Sequence, residues 1–157
     1  MCGKVSFEIS QPAIGTELCH CRMCQRFNSA AFAAWAVFPL ESVQFTGTEP
    51  KSYQSSPIAE CGFCANCGSS LTMRWIQEPA EILAVLIASL DHPEDFAPTR
   101  HVGTESQLPW LDMHDDLPRF RSENDSNLIN RWTAAGRPDP ATGSSELNSP
   151  PKSIYPN

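Results

Sequence analysis

Seven cysteines, at positions 2, 19, 21, 24, 61, 64 and 67, constrain this chain more than any other feature of its 157 residues. An odd number of thiols packed into tight clusters makes a poor disulfide framework. Cys19-x-Cys21-x-x-Cys24 and Cys61-x-x-Cys64-x-x-Cys67 instead let a tight turn aim several sulfurs at one point, which is the spacing of zinc ligation; reactive or merely buried thiols are the competing reading. Cys64-Ala65-Asn66-Cys67-Gly68 has the form of a zinc knuckle, closed by glycine so that backbone N–H groups face the sulfurs. Four-coordinate zinc there needs two further ligands. Cys2, beside Gly3 at the opening of the chain, is the distant candidate and Cys61 the local one, with a buried free thiol as the alternative for Cys61. The run Cys19-His20-Cys21-Arg22-Met23-Cys24 offers three thiols and no obvious fourth. A structural zinc site is closed by four protein ligands, whereas a catalytic one keeps a position open, so three thiols point to chemistry. The other possibility is one shared site in which this cluster closes on the knuckle. His20 lies between two ligands and is expected to point away from a metal that both hold, in a solvated or hydrogen-bonding role. An iron–sulfur reading fails at its fourth ligand, because position 71 is Leu and no Cys-Pro pair exists.

Charge narrows the function further. Eleven Lys and Arg against eighteen Asp and Glu give a net charge of −7, which argues against a general grip on phosphate backbones and hence against nucleic acid as a partner. The longest apolar run, residues 30–38, is far short of a membrane span, and no basic-then-apolar leader opens the chain. The expectation is a soluble, intracellular, cytoplasmic protein. The acidity sits in residues 1–120, with 7 basic and 14 acidic residues, while residues 121–157 hold 4 of each. That second stretch carries prolines 138, 140, 150, 151 and 156 among Ser, Asn and Gly, too little apolar surface to offset the entropy of ordering. A domain over residues 1–121 and an extension over 122–157 are therefore expected. Residues 122–135 suit a short helix with Ser122 or Asp125 as N-cap, Leu128, Ile129 and Trp132 on one side and Gly136 as its stop, or else an irregular linker. From about Gly136 a disordered tail is expected.

Within the domain the hydrophobic period is mostly two. Val5, Phe7 and Ile9 alternate with polar residues, as do Leu71, Met73 and Trp75, and residues 32–38, 42–46 and 82–87 are further runs of strand length. Turn signals at Pro39-Leu40, Gly47-Thr48 and Glu78-Pro79 separate them. The pattern predicts a mainly antiparallel β domain with a single helical turn over residues 22–27, and a long, largely irregular covering segment over residues 90–120, marked by prolines 93, 98, 109 and 118. Trp110, after Pro109, reads as a core or loop anchor.

These motifs, in their order, carry a likeness. Cys2-Gly3 at a strand start, then Cys19-His20-Cys21-x-x-Cys24, Phe63-Cys64-Ala65-Asn66-Cys67-Gly68, Ser89-Leu90-Asp91-His92-Pro93, His101, Pro109-Trp110 and Asp115-Asp116-Leu117-Pro118 resemble the glutathione-dependent formaldehyde-activating enzyme family, which includes centromere protein V. The likeness runs from Cys2 to about Phe120. It implies an Mss4-like zinc-bearing β fold with two metal sites and a carbon–sulfur lyase activity, the joining of glutathione to formaldehyde as S-hydroxymethylglutathione. Position by position, the family's three-thiol site falls on Cys19, Cys21 and Cys24, and its four-thiol structural site on Cys2, Cys64 and Cys67. One ligand of that second site is missing. The family usually opens Cys-x-Cys-Gly, so the first cysteine would lie upstream of Met1; otherwise Cys61 or water completes the site.

Joining a thiol to an aldehyde requires a thiolate, and a metal-bound thiol is deprotonated near neutral pH. Three cysteinates leave zinc a weak Lewis acid, which favours a held thiolate over carbonyl activation. Glutathione is anionic and the domain acidic, so local cations are needed. Arg22 and Arg26 flank Cys24 at i, i+4 spacing and are the candidates for its carboxylates, against a role as solvated surface arginines. His101, Asp115 and Asp116 are candidate proton donors or substrate hydrogen-bond partners. A zinc-stabilised binding module without catalysis is the alternative function.

Overall fold

The computed structural model describes residues 1–137. Ten strands and two helices follow in order: β1 (Phe7–Ile9), β2 (Gly15–Cys19), α1 (Arg22–Asn28), β3 (Ala33–Pro39), β4 (Val43–Phe45), β5 (Lys51–Gln54), β6 (Ala59–Phe63), β7 (Ser70–Trp75), β8 (Ile82–Leu86), β9 (His101–Val102), β10 (Arg119–Phe120) and α2 (Ser126–Ala134). The protein is mainly β, as the period-two pattern predicts. Eight strands form one sheet in the order β10-β9-β2-β3-β8-β7-β6-β5, while β1 and β4 pair as a separate antiparallel ribbon. All pairings in the large sheet are antiparallel except β2–β9 and β9–β10.

Alternation along the central strands divides the two faces. Ala36, Phe38, Leu83 and Val85 point to one side, where Phe7, Ile9, Val43 and Phe45 of the β1–β4 ribbon cover them. Side chains one residue out of phase, Trp35 and Ala84 among them, point to the opposite side and pack with Cys19, Cys24, Phe27 and Met73. A strand repeats every two residues, so one sheet builds a closed core on one face and a site on the other.

The helix foreseen beyond the domain forms over Ser126–Ala134. Asp125 caps it by accepting from the Leu128 N–H at 3.0 Å, and Gly136, at φ 66°, ends it in the left-handed conformation. Ser122, the other candidate cap, instead holds Glu105 through its hydroxyl at 2.6 Å. The helix docks by burying Trp132 against Ile58 and Ala59, with Leu128 and Met23 alongside. Arg131 secures it by donating to the carbonyls of Gln77 and Pro79, each at 3.0 Å, while its guanidinium lies 5.0 Å above the Trp75 ring. The expected disordered tail falls on residues 138–157, outside the described residues.

Five strands escape the sequence pattern: β2, β5, β6, β9 and β10. Lys51–Gln54 is an edge strand with all four residues exposed, so no apolar alternation marks it. Gly15–Cys19 and Ala59–Phe63 alternate, but with Gly, Glu and Cys on the cavity face. The segment over residues 90–120 is also less irregular than expected, for it supplies β9 and β10. Trp110 is 72% exposed and anchors nothing, contrary to the reading of it as a core or loop anchor.

Candidate metal centre and the adjoining cavity

The thiols converge as two separate trios. In Cys19, Cys21 and Cys24, and again in Cys2, Cys64 and Cys67, the three sulfurs lie within 4.8 Å of one another. Sulfurs bound at about 2.3 Å to a tetrahedral zinc stand about 3.8 Å apart, so both trios fit a metal of that size. The two clusters do not close on each other.

The first trio is built by a strand passing into a helix. Cys19 ends β2, paired with Ala33 of β3 and Val102 of β9, which fixes its direction. Cys21 is the N-cap of α1, its sulfur accepting from the Cys24 N–H at 3.4 Å, and Cys24 follows one turn on. Alternation turns the intervening His20 the other way, where it is fully buried. The three thiols are tied to one another by hydrogen bonds. Hydrogen bonds from Cys19 and Cys24 and from the Cys24 and Met23 backbone hold the Cys21 thiol well below its ordinary range, against burial. Cys19 is pushed up by its bonds to Cys21 and Cys24 and by burial. Cys24 is also raised; its bond with Cys19 works the other way but is outweighed by that with Cys21 and by burial.

Buried polar contacts hold this loop from behind. His20 Nε2 meets His101 Nδ1 at 2.8 Å, and His101 Nε2 meets the Asp115 carboxylate at 3.0 Å. Gln25, only 4% exposed, donates through Nε2 to the His20 carbonyl at 2.7 Å and to the Ser106 carbonyl at 3.0 Å. Gly103 lets the loop after β9 approach: a Cβ there would lie 2.9 Å from the Cys21 nitrogen. Neither Gln25 nor Gly103 carries a signal in the sequence beyond being a helical glutamine and a lone glycine.

The second trio is the knuckle. Gly68, at φ 75°, donates its N–H to the Cys64 carbonyl at 2.8 Å and closes the turn. The chain's opening reaches it: Cys2 Sγ lies 3.6 Å from Cys64 Sγ, and Lys4 Nζ donates to Asn66 Oδ1 at 2.8 Å. The Cys67 thiol is lowered to about 6, chiefly by the hydroxyl and backbone N–H of Ser69 and then by Cys2. Cys61 stands apart. It is buried on β6 with its thiol 3.4 Å from Ser55 Oγ, and it lines the same cavity as the first trio.

That cavity, about 860 Å³, lies on the open face of the sheet. Its floor comes from alternate residues of five strands, among them Cys19, Trp35, Cys61, Met73 and Ala84, and α2 walls its far side with Leu128 and Trp132. Arg22 lines it, its guanidinium held by Gln25 Oε1. Arg26, in the last turn of α1, is exposed and outside the lining. His101, Asp115 and Asp116 are also outside it: His101 is fully buried behind the thiol loop.

A thiol-lined cavity on a mainly β domain with two cysteine trios able to hold metal defines the class. The sequence profile described as glutathione-dependent formaldehyde-activating enzyme matches residues 1–106, and the chain belongs to that family. The crystal structure of a Rhodobacter sphaeroides protein, 22% identical, superposes with a TM-score of 0.50 over 64% of this chain and 94% of its own, a likeness of fold. No curated protein matches the chain. No helix among the described residues is long and apolar enough to cross a membrane.

Proposed function

We propose that the protein is a zinc-dependent carbon–sulfur lyase acting on the glutathione–formaldehyde adduct or a related thiol–aldehyde adduct. The observation that carries this is the convergence of Cys19, Cys21 and Cys24 within 4.8 Å on the wall of an open cavity. A zinc ion held by these three would keep the substrate's sulfur as a thiolate. In the synthetic direction that sulfur bonds to the aldehyde carbon, the carbonyl π pair moves to oxygen, and the thiol's proton ends on that oxygen as a hydroxyl; the reverse breaks the carbon–sulfur bond. Arg22, beside the trio, is the cation for a glutathione carboxylate, while Arg26 remains a weaker candidate because it lies off the cavity. Trp35, buried against Cys24, helps keep water from the reacting sulfur.

Zinc held by Cys2, Cys64 and Cys67 serves the fold, tying the chain's opening to the knuckle, with its fourth ligand not supplied by Cys61. All seven cysteines are free thiols, which suits the reducing cytoplasm. The catalytic domain is residues 1–121, with residues 122–157 as an extension whose helix walls the cavity.

Calorimetric titration with glutathione and with S-methylglutathione tests the reading, since only the first can present a thiolate. Tighter binding of glutathione by about tenfold or more is expected, equivalent to about 1.4 kcal/mol. Equal affinity, or no binding of either by zinc-loaded protein, moves the assignment to a non-catalytic zinc-stabilised binding module.

A further inference from the structure

The cavity is uneven in chemistry. On the side of α1 it offers three thiols and Arg22. Toward α2 its wall is mostly apolar, with Ile58, Met73, Trp75, Leu128 and Trp132, and charge enters only at the helix ends, with Asp125 at the N-cap and Arg137 just past the last turn. Glutathione carries two carboxylates and an ammonium group, so its tripeptide suits the first side and leaves the second wet. Two other cations of the lining are engaged, Arg100 with Glu17 and Arg121 with Glu123, each at 2.7 Å, and Arg137 stands past the C-terminal end of α2, away from the thiols in sequence.

The apolar side also holds a polar group without a match. Trp132 is 5% exposed, and its indole N–H is buried with no partner among the described residues. A buried donor left unpaired destabilises the fold, and an acceptor arriving with a ligand would satisfy it. Leu128 and Trp132 come from α2, beyond residues 1–106 where the family profile matches, while Ile58, Met73 and Trp75 come from within them.

We propose that the groove between the thiol loop and α2 is a subsite for an apolar substituent on the substrate, one bearing an oxygen acceptor, and that Trp132 determines this specificity. The substrate class is then thiol adducts of aldehydes larger than formaldehyde. The inference rests on the reading of the Cys19, Cys21 and Cys24 trio as the place where the substrate's sulfur is held.

Four probes on the zinc-loaded full chain test it by calorimetry: glutathione, S-methylglutathione, S-(2-phenylethyl)glutathione and S-phenacylglutathione, the last two differing by one carbonyl. The phenylethyl compound is expected to bind about tenfold or more tightly than the methyl one, since burying its extra hydrocarbon gives at least that factor. S-phenacylglutathione should exceed the phenylethyl compound by about threefold or more in the parent. Trp132→Phe, which keeps the ring and removes the N–H, should abolish that second preference alone. Leu128→Lys, at a half-buried position less demanding of the fold, should bring the phenylethyl and methyl compounds within about threefold. Phenylethyl and methyl compounds of equal affinity for the parent protein overturn the subsite, and a carbonyl preference unchanged in Trp132→Phe overturns the role of Trp132. A phenylethyl preference without any distinction between glutathione and S-methylglutathione upholds the subsite and overturns only the thiolate reading.

Discussion

His20 Nε2 and His101 Nδ1 stand 2.8 Å apart, with the two rings stacked at 5.1 Å between centroids, directly behind the loop that presents Cys19 and Cys21. Asp115 sets the direction of this chain of hydrogen bonds. Its carboxylate accepts from His101 Nε2, so neutral His101 is left with Nδ1 as an acceptor and His20 donates to it through Nε2. The arrangement resembles the carboxylate–histidine pairs that orient metal ligands, except that here it acts on the residue between two thiols of the trio.

The Asp115 carboxyl lies below its ordinary value: partial desolvation raises it, but the His101 hydrogen bond, the Leu117 N–H and Arg119 together lower it. A depressed carboxyl contributes stability above its unfolded value of about 3.9, and that stability is lost as pH falls through the folded value. Thermal melts of the parent and Asp115→Asn should thus differ most between about pH 5 and 7 and converge toward pH 2–3. A difference independent of pH would show that the charge of Asp115 contributes nothing.

Gly103 should tolerate no side chain. Its φ is +65°, and a Cβ would meet the Cys21 nitrogen at 2.9 Å and the Cys21 Cβ at 3.1 Å, both on the loop that carries the first trio. Strain of this kind costs about 1–3 kcal/mol. Gly103→Ala is expected to lower the melting temperature and to reduce bound zinc from two equivalents toward one. Gly15→Ala, where a Cβ meets nothing within 4 Å, is the control and should retain both. Full zinc occupancy in Gly103→Ala would mean that the loop after β9 moves independently of the trio.

The cysteine spacings foretold the Cys19, Cys21 and Cys24 trio and the Cys64–Cys67 pair, because a turn of two or three residues leaves few directions for a thiol, whereas Cys2 joined the second trio on its place beside Gly3 and on the family resemblance; alternation in β1 and β7 and apolar runs in β3, β4 and β8 foretold the β domain. Long-range pairing was less legible. Nothing near His101 in sequence says that it pairs with His20, 81 residues earlier, since β9 is two residues long and its parallel pairing with β2 is long-range. Cys61 misled for a related reason: its spacing from Cys64 fits a ligand set, but the register shift at Gly62/Phe63 separates the two, and Cys61 stays on the cavity face with Ala59. Arg22 and Arg26 satisfy the i, i+4 rule, yet only Arg22 lines the cavity, since α1 meets it by its first turn.

The two trios should differ in what they hold together. Cys64 and Cys67 join the knuckle to Cys2, 62 residues earlier by the Cys2–Cys64 contact, whereas Cys19, Cys21 and Cys24 span a single strand-to-helix turn that the β2–β3 pairing and Gln25 also hold. Metal binding that closes a long loop is folding free energy, of order 10 kcal/mol for structural zinc. Cys64→Ser is therefore expected to aggregate or melt far below the parent, and Cys21→Ser to melt closer to it while losing one zinc. Equal melting temperatures for the two variants would assign both trios the same structural role.

Gln25 gives the sharpest test of how the thiol loop is held. Its amide donates to the carbonyls of His20 and Ser106, 2.7 and 3.0 Å away, and its own carbonyl accepts from Arg22. Gln25→Ala strands the buried His20 carbonyl and the part-buried Ser106 carbonyl and releases the arginine, which should cost roughly 2–4 kcal/mol, two unmade hydrogen bonds at about 1–3 kcal/mol each without full additivity. Glutathione binding should weaken too, because Arg22 is no longer held toward the cavity. Gln25→Glu keeps the shape and the bond to Arg22 but turns an acceptor toward both carbonyls. Burial and the two facing carbonyls disfavour ionisation of that glutamate, and they outweigh the single bond to Arg22, so its carboxyl rises above the unfolded value. A carboxyl raised by folding contributes most at low pH, so the stability of Gln25→Glu relative to the parent should fall as pH rises from about 4 to 8. Melting curves for both variants across that range check the argument. A Glu variant with a pH-independent deficit no larger than that of Ala would show that the His20 and Ser106 carbonyls find other donors, and that Gln25 fills space without tying the loop to the segment after β9.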